Sequence, residues 1–547
     1  MQFRAHSRNF GGGLSMALLE RPEVTKLENG GSCWEHEYDS FYLKAYIPAN
    51  KLDGQTNNYG YKAPLLMIFE ENRSSMDEAV KFADETGLAS IAADNDSGVF
   101  FIYPTCEGGW ENAGENVYAD FIAEVKLHFL YEDGLSPFTE FFTFEFKGYF
   151  IRGAKFRADV YSYGKSADYV ATMLLKTLEG EYLWGPGEIT PACCTMEGLS
   201  VTPNVERKDI AIVSVGNSDE INKAFERCEN LLIKEKADYK EDFKQFVRRY
   251  KMWCGNISIE PDFEELKMTE EAGFTIVKTS PDNNGIYKDE PTHKVGYFAY
   301  YNNDLFDKGA APLVIGFHGG GDSALYFAYV TDWWAIAHDE NFLFVSIDNH
   351  QEVKATEVRE IIDDLKKKYN IDEHRIYATG FSMGCGKTWD MYAENSDIFA
   401  GLAAASALFP IKDNPFGLSL GDPRLNTTTP VPMFYSGGEN SFHPELPVDS
   451  EGALDRIKYL AETNDLAANF NIEYSDKENW ADHFFGVTPD RVEKIPDESR
   501  GSVLTVRYYN SKDGICRTAL ASISNQVHEC RPHTCREAWK FISQFTK

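Results

Sequence analysis

The sequence predicts an α/β protein of two tandem domains, each a mostly parallel sheet flanked by helices. Three observations predict it: the length, the alternation of strand-like and helix-like stretches, and an internal repeat. At 547 residues the chain exceeds the size at which one hydrophobic core keeps growing, so two domains or more are expected. In the C-terminal half, strand-like runs of five or six residues (313–317, 342–347, 375–379, 431–435) alternate with helical patterns. The clearest helix carries Val358, Ile361, Ile362, Leu365 and Tyr369 at a period near 3.6 residues. Strand, helix and strand in repetition give a parallel sheet covered on both faces.

The repeat consists of three matches in the same order. Ala63 to Phe69 (APLLMIF) matches Ala311 to Phe317 (APLVIGF), Val160 to Ser166 matches Ile376 to Ser382, and Ile210 to Val215 parallels Val431 to Ser436. The expected organisation is a leader over residues 1–15 without structure, one domain over 16–255 and a second over 256–547.

Charge narrows the function. With 54 Lys and Arg against 86 Asp and Glu, the formal charge is −32, which repels nucleic acid and anionic membranes and suits a neutral or cationic substrate. No stretch approaches the ~20 apolar residues of a membrane span, no apolar signal-peptide core is read near the start, and the expected location is cytoplasmic. Ten scattered cysteines do not make a disulfide framework, so reduced thiols are expected. Oligomerisation is not readable.

Chemistry concentrates in the C-terminal half. Gly380-Phe381-Ser382-Met383-Gly384 lies between a strand and a helix bearing Trp389 and Tyr392. A serine at a tight strand-to-helix turn stands clear of the sheet, the glycines let the backbone bend, and the helix N-terminus points its amides at the reacting oxygen. His318-Gly319-Gly320-Gly321 follows the strand 313–317, where glycines bring backbone N–H groups close to a developing oxyanion. The expected oxyanion hole is Gly319, Gly320 and Met383.

A serine hydroxyl needs a base, which in this arrangement follows the last strand. His528 fits, ahead of His533 at the start of the final helix. The acid belongs after the strand 431–435, where Glu439 is the expectation and Asp449 the alternative. Gly384-Cys385-Gly386-Lys387-Thr388 looks like a phosphate-binding loop, but Phe381 stands where that pattern needs glycine. His528, Cys530, His533 and Cys535 lack the separated ligand pairs of a zinc site, and no metal or cofactor is expected.

On Leu313 to Gly321 (LVIGFHGGG), Arg375 to Gly384 (RIYATGFSMG), His528 and Trp539, the C-terminal half resembles the α/β-hydrolase superfamily, and within it the polyhydroxybutyrate depolymerase-like and feruloyl or acetylxylan esterases. The resemblance covers about half of the chain. It implies hydrolysis of a small or oligosaccharide-borne ester through an acyl-serine, without metal or cofactor, with Ser382 as nucleophile, His528 as base and the 319–320 backbone in the oxyanion hole. A thioesterase, amidase or peptidase would use the same triad, and a non-catalytic binding or scaffold protein would show no reactivity at Ser382.

In the N-terminal half, Glu70-Glu71-Asn72-Arg73 stand where His318 to Gly321 stand, and no histidine lies between His128 and His293. Ser166 is laid against Ser382. This half reads as a degenerate, non-catalytic hydrolase-like domain. Trp110-Glu111-Asn112-Ala113-Gly114 resembles a segment near the active sites of such esterases. Trp333 and Trp334 are expected in the core.

Overall fold

The computed structural model describes residues 25–49, 64–95, 97–115, 117–118, 120–121, 157–175, 191–203, 205, 210–253, 256–285, 287–320, 323–348, 353–415 and 417–547. The expected leader, 1–15, lies outside them. The chain divides into two compact units, Met1–Met252 and Trp253–Lys547, against the expected change at 255/256.

The first unit is built on one sheet of nine strands: β1 (Thr25–Lys26), β2 (Ser32–Glu37), β3 (Phe41–Ile47), β4 (Leu65–Phe69), β5 (Val99–Pro104), β6 (Ala158–Tyr163), β7 (Cys193–Glu197), β8 (Ala211–Val215) and β9 (Leu231–Lys234). Their order is β1-β2-β3-β5-β4-β6-β7-β8-β9. The pairs from β5 to β9 are parallel, and β1 to β3 form an antiparallel flank. A short ribbon, β10 (Tyr250–Trp253) with β11 (Asn256–Ile259), follows in the chain.

The second unit carries ten strands: β12 (Met268–Lys278), β13 (Thr292–Asn302), β14 (Ala311–Phe317), β15 (Leu343–Ile347), β16 (Ile371–Phe381), β17 (Gly401–Ala405), β18 (Met433–Gly438), β19 (Arg491–Asp497), β20 (Ser502–Tyr509) and β21 (Thr518–Ile523). The order is β12-β13-β15-β14-β16-β17-β18-β21-β20-β19. The six central strands, β15 to β21 in that order, run parallel and the outer pairs antiparallel. Every residue of β14, β15, β17, β18 and β21 is buried, which explains the unbroken apolar runs of the sequence. The helix Ala355–Lys368 presents Val358, Ile361, Ile362 and Leu365 to this core, as their spacing predicts. Trp333 is fully buried and stacks on Phe344.

The two sheets share their central order. β4 and β14 each lie between their parallel neighbours, β6 follows β4 as β16 follows β14, and β8 stands where β18 stands. Register corrects one of the sequence matches. Phe69 faces Ser162 across β4 and β6, whereas Phe317 faces Gly380 across β14 and β16. Ser162 therefore corresponds to Gly380, and the counterpart of Ser382 is Gly164, not Ser166. Short apolar strands of alternating pattern align almost as well two residues out of step, because a shift of two keeps every side chain on its own face.

Candidate active site

Ser382 caps the N-terminus of the helix Met383–Glu394 at φ 54°, ψ −113°, a strained conformation for a residue with a Cβ. The two flanking glycines make that turn possible. A Cβ on Gly380 would stand 2.1 Å from the Gly384 carbonyl oxygen, and one on Gly384 would stand 2.0 Å from that of Phe317. The first would push β16 away from this helix, and the second would push the helix away from β14.

His528 lies in the loop between β21 and the helix Pro532–Ile542, and its Nε2 is 2.8 Å from Ser382 Oγ. Its Nδ1 is 2.5 Å from Oε1 of Glu445. Ser382, His528 and Glu445 are 8%, 1% and 0% exposed, so the three side chains form one shielded relay reachable from solvent only at the serine. The ring of Phe381 packs on the imidazole, with centroids 4.9 Å apart. His533 sits in the first turn of the final helix, outside the relay.

The acid is the correction. Glu439 was the expectation, yet its Oε1 accepts a hydrogen bond from Ser522 Oγ at 2.8 Å on the neighbouring β21, and Glu445 meets His528. The strand runs through Gly437 and Gly438, so Glu439 follows directly on its end and the chain needs six further residues to bring a carboxylate back. The alternative, Asp449, contacts the loop instead of the imidazole: its Oδ2 accepts the N–H groups of Glu445 at 2.9 Å and Leu446 at 2.7 Å. The second oxygen of Glu445 accepts the Gly438 N–H at 2.6 Å, and Ser441 Oγ donates to Oε1 at 2.7 Å. The glycine pair before Glu439 makes room for the two loops without marking which carboxylate they bring in. A Cβ on Gly437 would lie 2.7 Å from the Glu445 carbonyl, and one on Gly438 2.5 Å from that of Gln526, so two successive glycines in a strand mark the close approach of the acid and histidine loops.

The glycine turn after β14 packs directly on Ser382 and its neighbours. A Cβ on Gly319 would be 2.9 Å from the Phe381 ring and 3.7 Å from Ser382 Cβ, and one on Gly320 would be 2.5 Å from Met383 Sδ. His318 Nδ1 bonds the Gly319 carbonyl at 2.7 Å, and its Nε2 lies 3.5 Å from Asp348. A carbonyl only accepts, so Nδ1 carries a proton. Gly321 is outside the described residues.

The residues weighed for other chemistry have structural places. Lys387 forms a buried ion pair with Asp390 at 3.0 Å. Cys530 and Cys535 lie together, Sγ to Sγ 3.6 Å, while His528 is engaged by Ser382 and Glu445. Among the described residues no group of three or more His, Cys, Asp or Glu side chains is placed to hold a metal ion.

In the first unit the equivalent turn keeps its shape and loses its hydroxyl. Gly164 has φ 58°, ψ −128° at the start of the helix Lys165–Tyr169. A Cβ there would be 2.2 Å from Glu71 Oε1, so a carboxylate fills the place of a nucleophile side chain. Ser166, in the Gly384 position, is fully buried and donates to the Phe69 carbonyl at 2.5 Å. Glu70 is buried in an ion pair with Lys44 at 2.5 Å. Between β9 and the helix Tyr239–Gln245 stand Glu235 to Asp238, with no histidine. Trp110 is buried against Phe69, ring centroids 5.0 Å apart.

No family model matches the chain. A bifunctional acetylxylan esterase/xylanase of Neocallimastix patriciarum is 33% identical over 139 residues, 24% of this chain and 19% of that protein. Poly(3-hydroxyalkanoate) depolymerase C of Paucimonas lemoignei is 27% identical over 126 residues, 19% of this chain and 28% of that one. The chain thus spans less than a third of either curated relative. Among solved structures, an acetyl xylan esterase from Aspergillus awamori is 12% identical with a TM-score of 0.32, covering 50% of this chain and 99% of that one. A feruloyl esterase module from Clostridium thermocellum is 12% identical with a TM-score of 0.31, covering 52% and 91%. Among the described residues no helix is long and apolar enough to cross a membrane. Strand order and the geometry of the serine turn give the C-terminal unit an α/β-hydrolase fold, and the chain is similar in sequence to an acetylxylan esterase and a polyhydroxyalkanoate depolymerase.

Proposed function

We propose that the C-terminal unit is a serine hydrolase that cleaves carboxylic esters, small or carried on an oligosaccharide, through an acyl-serine intermediate. The observation that carries this is the unbroken relay Ser382 Oγ, His528, Glu445, with contacts of 2.8 and 2.5 Å in a buried site. Ser382 Oγ attacks the ester carbonyl while His528 Nε2 takes its proton. The Glu445 carboxylate accepts the Nδ1–H and stabilises the imidazolium. The oxyanion is held by the Met383 N–H at the helix start and by the Gly319 to Gly320 backbone. The imidazolium then protonates the leaving alkoxide, and water repeats the attack on the acyl-serine. No residue of the relay needs a metal or an organic cofactor for these steps. Acetylxylan in the name of a relative 33% identical over 139 residues supports a sugar-borne ester, and a chain of charge −32 favours a neutral one. The N-terminal unit has no catalytic role in this reading, because nucleophile, base and glycine turn are each replaced.

A fluorophosphonate probe tests the reading without knowledge of the substrate. One adduct per chain is expected, mapped to Ser382 and absent from Ser382→Ala. A wild-type protein left unmodified under conditions that label a control esterase would remove the basis for hydrolysis and favour a binding role.

A further inference from the structure

The loop that delivers the catalytic acid also carries an aromatic side chain that the fold does not use. Phe442 is 62% exposed, yet its ring centroid lies 5.8 Å from that of His528 and 4.2 Å from that of His443. What distinguishes Phe442 from other exposed apolar side chains is its place beside the imidazole, where its open ring face offers a surface on which a ligand can be buried. The loop is not loose. Asn440 N–H donates to the Gln526 carbonyl at 2.9 Å, His443 N–H to Ser441 Oγ at 3.1 Å, Leu408 N–H to the Pro444 carbonyl at 3.2 Å, and Ser441 Oγ to Glu445 at 2.7 Å. Phe442 therefore stands on a pinned turn, and a ligand ring meets a preformed surface.

Which part of the substrate meets it follows from the proton transfers, and here the argument rests on the ester-hydrolase reading above. The proton that His528 Nε2 takes from Ser382 is handed to the departing alcohol oxygen, so that oxygen must come within hydrogen-bond reach of Nε2. The acyl carbonyl oxygen is held on the other side, at the Met383 helix start. Atoms attached to the leaving oxygen then lie beside the imidazole, where Phe442 and His443 are. His443 has its ring centroid 4.7 Å from that of His528. Partial desolvation and the neighbouring His528 hold its basicity below the ordinary histidine range, so near pH 7 its neutral ring offers one donor and one acceptor. An aromatic face with an adjacent donor and acceptor suits a ring that is apolar on one face and hydroxylated at its edge.

We propose that Phe442, with His443, is the leaving-group subsite, and that the alcohol it selects is a hydroxyl of a pyranose ring stacked on the phenyl face. The test compares three acetate esters, of a methyl pyranoside, of phenol and of ethanol, on the wild type, Phe442→Ala and Phe442→Leu, the last keeping apolar bulk without a ring face. The readout is the ratio of kcat/KM for the acetylated pyranoside to that for ethyl acetate. Both variants are expected to lower it fivefold or more, through KM, with phosphonate labelling of Ser382 retained. A smaller change in that ratio overturns the subsite, and a fall confined to phenyl acetate reassigns it to aryl alcohols. A wild type that Ser382 labelling shows to be active, but that turns over ethyl and phenyl acetate and not the pyranoside, overturns this inference alone. A wild type that is neither labelled nor active on any ester overturns the hydrolase reading with it.

Discussion

At the scale of single residues, six positions separate the carboxylate favoured by sequence from the one that meets His528. Glu439 and Glu445 are the same residue type in the same loop, and only one reaches the imidazole. Replacing Glu445 by Gln removes the charge that orients and stabilises the imidazolium, so kcat on p-nitrophenyl acetate should fall about a thousandfold or more. Glu439→Gln exchanges one acceptor for Ser522 with another and should stay within about threefold. Equal losses in steady-state kinetics would undo this division of roles. The positions of Ser382 and His528 were legible because each is tied to a local pattern, a glycine-flanked turn for Ser382 and the stretch before the final helix for His528. The acid has no such pattern, since any carboxylate on a long loop is a candidate until the loop closes.

At the scale of elements, the serine turn and the acid loop both depend on backbone approach. Gly384 lies so close to the Phe317 carbonyl that Gly384→Ala has to separate β14 from the helix Met383–Glu394. A destabilisation of about 3 kcal/mol or more is expected, seen as a lowered denaturation midpoint together with lost phosphonate labelling. Asp449 fixes the acid loop through two backbone N–H groups, so Asp449→Ala should lower kcat about tenfold while the Ser382 adduct still forms. In the first unit, β6 buries Asp159, whose carboxyl is pushed up to about 8 by burial, only partly opposed by the charges of Arg157 and Lys251. A carboxyl raised above its unfolded value near 3.9 binds more protons folded than unfolded, so this unit should lose stability as pH rises from about 4 to about 8. Asp159→Asn should remove that slope, and thermal midpoints measured at pH 5 and pH 8 would reveal it. The same scale explains the misplaced match between halves. Strand patterns repeat every two residues, and only the pairing of Phe69 with Ser162 and of Phe317 with Gly380 fixes which residue occupies the turn.

At the scale of the whole molecule, two units share one central sheet order, and among the described residues one of them carries the complete relay. Labelling should therefore saturate at one phosphonate per chain. Restoring a hydroxyl to the first unit should not revive it: Gly164→Ser in a Ser382→Ala background is expected to remain unlabelled, because Glu71 occupies the turn and 235–238 supply no histidine. An adduct on residue 164 in intact-mass and peptide mapping would contradict that view. The sequence by itself determined the fold class, the presence of a repeat, the serine turn, the glycine turn beside it and the histidine, since each is written in contiguous residues whose local geometry follows from their own chemistry. Only the tertiary structure decided which carboxylate faces His528, which residue of the first unit stands at the turn, and that Phe442 faces solvent beside the imidazole. Those are matters of register and loop closure, in which residues far apart in the chain are brought within a few ångströms, and no local preference of the backbone encodes that distance.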